Sequence, residues 1–170
     1  MKQENKKFIS VIGNCTAGKS TIIISLTGCH DRSFRGFVED QLTRESIYVI
    51  ADSPQEKELV IEEHSGIEAF IDILTQVIQR DNCRGLVMAI RPTRPRKNPS
   101  LENIIHEVQN RNAFESYLFV LEPSRNELRP IFDDINRRLI DTGLVAQRLD
   151  GRRFAFLNAQ RINQESQLFI

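Results

Sequence analysis

Apolar positions in this chain recur on two length scales. Short runs rich in β-branched residues cover residues 8–12, 46–51, 85–90 and 116–121. Each is cut off by a turn-forming cluster: Gly13, Asp52-Ser53-Pro54, Arg91-Pro92 and Glu122-Pro123. Runs of this length and punctuation predict strands, and the nearly continuous apolar run at 46–51 predicts a central one. Between them lie longer amphipathic stretches. Ile67, Phe70, Ile71, Leu74, Val77 and Ile78 repeat at helical spacing over 65–80, and Ser65 with Glu68 reads as a capping box. Leu101, Ile104, Ile105 and Val108 mark another helix, opened by Pro99-Ser100. A helix over 20–26 follows the first strand and ends at Thr27-Gly28. Ser124 with Glu127 heads a further one, carrying Leu128, Ile131, Phe132, Ile135 and Leu139 and stopping near Gly143.

Two more extended segments complete the pattern. Residues 36–40 and 46–51, separated by a polar connection at 41–45, predict a hairpin, and residues 153–157 predict a sixth strand. Strands alternating with helices indicate an α/β domain, and no linker or repeat divides residues 1–170, so one domain is expected.

Composition narrows the functional classes. Lys+Arg and Asp+Glu number 23 each, which argues against a surface built wholly to coat nucleic acid or an anionic membrane. Aromatics at 7% leave little for a base-stacking platform, although nucleic acid as a partner is left open. Cys15, Cys29 and Cys83 form no paired spacing, and with His30, His64 and His106 they make no zinc-ligand pattern. The polar start at 1–7 and the absence of a long apolar run predict a soluble, cytoplasmic protein without a membrane span.

The chemistry concentrates at Gly13-Asn14-Cys15-Thr16-Ala17-Gly18-Lys19-Ser20, which fits G-x-x-x-x-G-K-[ST] between a strand and a helix. The two glycines permit a tight loop, and successive N–H groups at a helix N-terminus make an anion cradle. Lys19 is the candidate for contacting transferred phosphate, Ser20 for ligating Mg²⁺, and Thr21 for the α-phosphate region.

This stretch resembles the phosphate-binding loop of the P-loop NTPases. The order of elements resembles the small G-protein layout over nearly the whole chain. The resemblance implies a three-layer fold with a mostly parallel six-stranded sheet, one antiparallel strand and helices on both faces. It further implies Mg²⁺ and ATP or GTP as cofactors. In such proteins the loop before the hairpin carries a metal-binding hydroxyl, for which Ser33 is the candidate here, with Arg32 and Arg35 as charge-stabilising arginines. Asp52 stands at the position of the second metal-shell aspartate. The family reads Asp-x-x-Gly there and this chain reads Asp52-Ser53-Pro54-Gln55. Gln55 or Glu56 is then the candidate for orienting an attacking water. The guanine-specificity motif is missing: Leu121-Glu122-Pro123-Ser124 holds no suitable aspartate, and Asn158-Ala159-Gln160 only loosely matches the family's later turn.

The basic segment Arg91-Pro92-Thr93-Arg94-Pro95-Arg96-Lys97 is expected beside the same sheet edge, as a grip for an anionic ligand. The expected function is therefore a Mg²⁺-dependent nucleoside-triphosphate-binding protein, a slow NTPase acting as a GTPase-like switch, with a protein partner reading the 30–56 region. Two alternatives stand beside it: a small P-loop kinase using Arg91, Arg94 and Arg96 on a second phosphate-bearing substrate, and a nucleotide-binding scaffold that does not hydrolyse.

Overall fold

The computed structural model describes residues 4–14, 18–93, 99–122 and 131–169. In chain order the elements are β1 (Lys6–Ile12), α1 (Lys19–Thr27), β2 (Arg35–Glu39), β3 (Ser46–Ile50), β4 (Val60–Ile61) and β5 (His64–Ser65). Then come α2 (Gly66–Gln79), β6 (Cys83–Ile90), α3 (Leu101–Asn110), β7 (Phe114–Leu121), α4 (Phe132–Arg138), a 3-10 turn (Ile140–Thr142), β8 (Gln147–Leu149) and α5 (Ala155–Ser166).

Six strands form one mixed sheet in the order β2-β3-β6-β1-β7-β8. Only β2 runs antiparallel, paired with β3 as the hairpin reading expects. β1 is central, with Ile12 beside Ile90 of β6 and Val120 of β7. Phe8, Ile9, Val11 and Ile12 are fully buried, because a parallel strand covered on both faces needs apolar side chains in both directions. Phe8 and Ile12 join one core with α2, α3 and α4; Ile9 and Val11 join a second with α1 and α5. The α/β fold thus has helices on both faces of a mostly parallel sheet.

One close approach fixes the register of the centre. β3 skips a residue against β6, so that Ser46 pairs with Cys83 and Ile47 with Gly85. Gly85 then lies so near β1 that a Cβ on it would come within 1.9 Å of the Lys7 carbonyl oxygen. Only glycine fits that position.

Several sequence expectations need correction here. Residues 153–157 are not the sixth strand. The strand is the short β8 at Gln147–Leu149, and α5 begins at Ala155. The alternation of Phe154, Ala155 and Phe156 mimics a strand period, but both rings are exposed and the helix buries Asn158, Ala159, Ile162 and Ser166 instead. Asn158, Ala159 and Gln160 consequently lie inside a helix, not in a turn after a strand. Ser65 is the N-cap of α2 but makes no side-chain capping bond, so the capping box is not formed. Ser100 does cap α3, accepting from the Asn103 N–H at 3.2 Å. The Ser124–Glu127 pair falls outside the described residues. The small hairpin of β4 and β5, standing apart from the main sheet, has no counterpart in the sequence reading.

Candidate functional site

The connections leaving β1, β3, β6, β7 and β8 all emerge at one edge of the sheet, because these strands are parallel. The chain leaving β1 turns to α1 on one face, whereas that leaving β6 turns to α3 on the other. Neighbouring connections thus diverge at the carboxyl end of β1, the usual place for ligands in open α/β sheets. Gly13 and Asn14 at one end of the G-x-x-x-x-G-K-S stretch, and Gly18, Lys19 and Ser20 at the other, sit there by virtue of the buried strand before it.

The N–H of Gly13 donates to the Ile90 carbonyl at 3.1 Å, extending the β1–β6 pairing by one residue. Cys15, Thr16 and Ala17 lie outside the described residues. Gly18 is the N-cap of α1, at φ 92°, where a side chain other than glycine is strained. Its carbonyl accepts the first helical bond, from Ile22 at 3.2 Å.

Lys19 begins the helix and turns its side chain back toward the end of β1. Its ammonium donates to the carbonyls of Gly13 and Asn14, both at 2.8 Å, and is only 4% exposed. A buried ammonium needs such acceptors to offset its lost hydration. It also lies 3.5 Å from Oε1 of Glu56. Ser20, half-buried, donates its hydroxyl to the Ala51 carbonyl at 2.8 Å. A hydroxyl has one proton and two acceptor positions, so this bond leaves oxygen lone pairs for another partner. Thr21 is exposed on the helix.

The antiparallel run of β2 brings Arg35 to the same edge. Its Nε donates to Oδ1 of Asp52 at 2.8 Å, Nη1 to the Glu58 carbonyl at 2.6 Å and Nη2 to the Lys57 carbonyl at 2.5 Å. One guanidinium thus holds the segment after β3 at three points. The side chain proposed to stabilise transferred charge is engaged in shaping that segment. Ser33 stands just before β2, where its hydroxyl donates to Oδ1 of Asp31 at 3.0 Å and its N–H to the same oxygen at 2.9 Å. These bonds lower the Asp31 carboxyl below its usual range, the hydroxyl contributing most. The Phe34 carbonyl accepts from Ala51 at 2.9 Å, tying the 30–35 loop beside Ser20 and Asp52.

Gln55 has both ends of its amide in use. Nε2 donates to the Pro99 carbonyl at 2.8 Å, and Oε1 accepts from the Arg91 N–H at 3.1 Å. It joins the 52–58 segment to the connection between β6 and α3. Glu122 is likewise committed: Oε2 accepts from the N–H groups of Ile131 and Phe132 at 2.8 and 2.6 Å, satisfying orphan donors ahead of α4. The 94–98 part of the basic segment lies outside the described residues. Arg84, at the start of β6, pairs with Glu45 at 3.0 Å and stands at the opposite end of that strand from Arg91. The run of positive charge is therefore divided between two edges of the sheet.

Sequence reasoning brought together Gly13, Asn14, Gly18, Lys19, Ser20 and Asp52, and they do share this edge. It missed the Arg35 clamp, the approach of Glu56 to Lys19 and the bridging by Gln55. Each depends on pairing across long sequence separations, for which no local pattern exists. Among the described residues no group of three or more His, Cys, Asp or Glu side chains is arranged to hold a metal ion. No helix of the described residues is long and apolar enough to cross a membrane. Compared with protein-family models and with curated proteins, the chain matches none.

Proposed function

We propose that this chain is a P-loop-type, Mg²⁺-dependent nucleoside-triphosphate-binding protein with slow triphosphatase activity, for ATP or GTP, in which the 30–56 region reports the state of the site. The observation that carries the reading is Lys19: its ammonium is folded onto the Gly13 and Asn14 carbonyls, at the head of α1. Positive charge, the N-terminus of a nine-residue helix and the left-handed Gly18 all favour an anion at that loop.

The residues present fit a metal–triphosphate better than a metal alone. Ser20 can offer an oxygen lone pair while its hydroxyl still donates to the Ala51 carbonyl, and Asp52 contributes a carboxylate one residue further on. Bound Mg²⁺ would neutralise charge on the phosphates. The chain's own part is to hold phosphate oxygens with Lys19 and the loop N–H groups, and to keep Asp52 oriented through Arg35.

Gln55 favours a second reading, a nucleotide-binding scaffold that scarcely hydrolyses. Its amide is taken up by Pro99 and Arg91, leaving the water-orienting role without the side chain first assigned to it. Single-turnover hydrolysis separates the two readings.

Calorimetry with Mg–ATP and Mg–GTP tests binding itself. The wild-type protein is expected to bind at least one of them, and Lys19→Ala to lose affinity by about 100-fold or more, as for loss of a buried charged contact. Equal affinity in both proteins, or no binding by the wild type, would overturn the proposal. Circular dichroism establishes that the variant is folded.

A further inference from the structure

Two surfaces outside the site carry unspent chemistry. The first is at the start of α5, where Phe154 is 72% and Phe156 55% exposed, with Leu157 beside them at 39%. The two rings stack on each other, centroids 5.9 Å apart and planes 15° from parallel. Beside this apolar spot is a pocket of about 330 Å³ lined by Arg148, Arg153 and Arg161 with Glu122, Asp150 and Asn158. Its carboxylates are already engaged: Glu122 by the N–H groups ahead of α4 and by Arg148 at 3.5 Å, Asp150 by Arg152 at 3.2 Å. Arg153 and Arg161 make no side-chain hydrogen bond or ion pair with any described residue. Among the described residues the pocket therefore presents the Arg153 and Arg161 side chains without a hydrogen-bonded or ion-paired partner, Arg153 within electrostatic reach of Asp150, next to exposed rings.

The second surface is the β4–β5 hairpin. Its two-residue tip is Glu62-Glu63, both exposed, with Glu62 at φ 51°. Glu58 is exposed just before it, and Val60 on its first strand is 59% exposed. Glu58, Glu62 and Glu63 make no side-chain hydrogen bond or ion pair with the described residues.

The two surfaces complement each other in charge and in apolar content, yet they cannot meet within one molecule. The hairpin follows β3 and leads into α2, on one face of the sheet; the patch follows β8 at the far edge and belongs to α5, on the other face. Four strand spacings separate β3 from β8, on the order of 19 Å. We propose that a second copy of this chain inserts its Glu62–Glu63 hairpin tip against Arg153 and Arg161, with Val60 on the Phe154–Phe156–Leu157 spot. Arginine suits this role because its planar fork meets carboxylates bidentately. Such a contact joins two different surfaces, so it is heterologous and propagates head to tail. It belongs with the small, transient interfaces, below about 1,200 Å² in total.

Sedimentation velocity without nucleotide tests this, independently of what the loop at Lys19 binds. The wild-type protein is expected to gain mass with concentration at low ionic strength and to return to monomer in about 0.5 M salt, where exposed charges are screened. The double variants R153Q/R161Q and E62Q/E63Q should each remain monomeric. Mixed, they retain one native pairing, the hairpin of the first with the patch of the second. The mixture should therefore form 1:1 dimers and nothing larger. A wild-type protein that stays monomeric, either double variant alone still associating, or a mixture that does not pair would each overturn the proposal. Vesicles containing about one-third anionic phospholipid provide the other arm. If the wild-type protein binds them through Arg153 and Arg161 but never self-associates, the patch is a membrane contact and the proposal fails.

Discussion

Arg35 and Asp52 lie 17 residues apart in sequence and are joined by a 2.8 Å bond at the carboxyl edge of the sheet, with both side chains largely buried. The same guanidinium caps the carbonyls of Lys57 and Glu58, so one side chain holds the 52–58 segment at three points, beside the Gln55 bridge to Pro99 and Arg91. Arg35→Ala is expected to cost about 2 kcal/mol, the scale of charged hydrogen bonds lost from a partly buried site. Urea denaturation measures that loss. Hydrogen exchange should quicken at residues 53–58 and leave β1 unchanged. Arg35→Lys should recover little, because an ammonium cannot reproduce three donors in a plane.

Gly85 makes the sharpest steric prediction. Its missing Cβ would fall 1.9 Å from the Lys7 carbonyl oxygen, on backbone that cannot swing aside. Gly85→Ala should destabilise by about 3 kcal/mol or more through forced separation of β1 and β6. A thermal melt within a degree of wild type would show that the two strands do not approach so closely.

Ser10 lies at the middle of β1, between Met88 and Leu118, fully buried and without a hydrogen bond for its hydroxyl among the described residues. Removing an unsatisfied polar atom from an apolar core relieves a desolvation cost. Ser10→Ala should therefore raise stability, by up to about 1 kcal/mol, measured as a higher urea midpoint with an unchanged slope.

His64 and Asp72 meet at 2.5 Å near the hairpin. The hydrogen bond to Asp72, and then its charge, raise the imidazole pKa above its ordinary value of 6.5. A raised pKa means that the interaction contributes fully below the unfolded value and is lost as pH rises through the folded one. NMR titration should find His64 above 6.5, with Asp72→Asn bringing it back down.

The parts of the fold legible in the sequence are those with dense local signals. The run ending at Ile12 can only be an interior strand, and Ile67 to Ile78 repeat too regularly to be anything but a helix, so β1, α1 and α2 were placed correctly. β8 escaped notice because three residues, one of them the exposed Arg148, carry no period. α5 was misread because its most conspicuous apolar residues, Phe154 and Phe156, face solvent. At the site, glycine and lysine spacing marks the loop at 13–20. Nothing local says that Arg35 will reach Asp52, or that Arg84 and Arg91 will end on opposite edges; strand direction and register decide both.

The proximity of Glu56 to Lys19, at 3.5 Å, has a consequence for any anion that comes to this loop. The ammonium already has a carboxylate neighbour from its own chain, so an incoming anion competes with an intramolecular one. Its apparent affinity falls by the fraction of molecules in which Glu56 stands aside. By the same linkage, an anion that wins the competition weakens the Glu56–Lys19 contact by an equal factor. Glu56→Gln should therefore strengthen anion binding, which makes this one carboxylate a resident competitor for the ammonium.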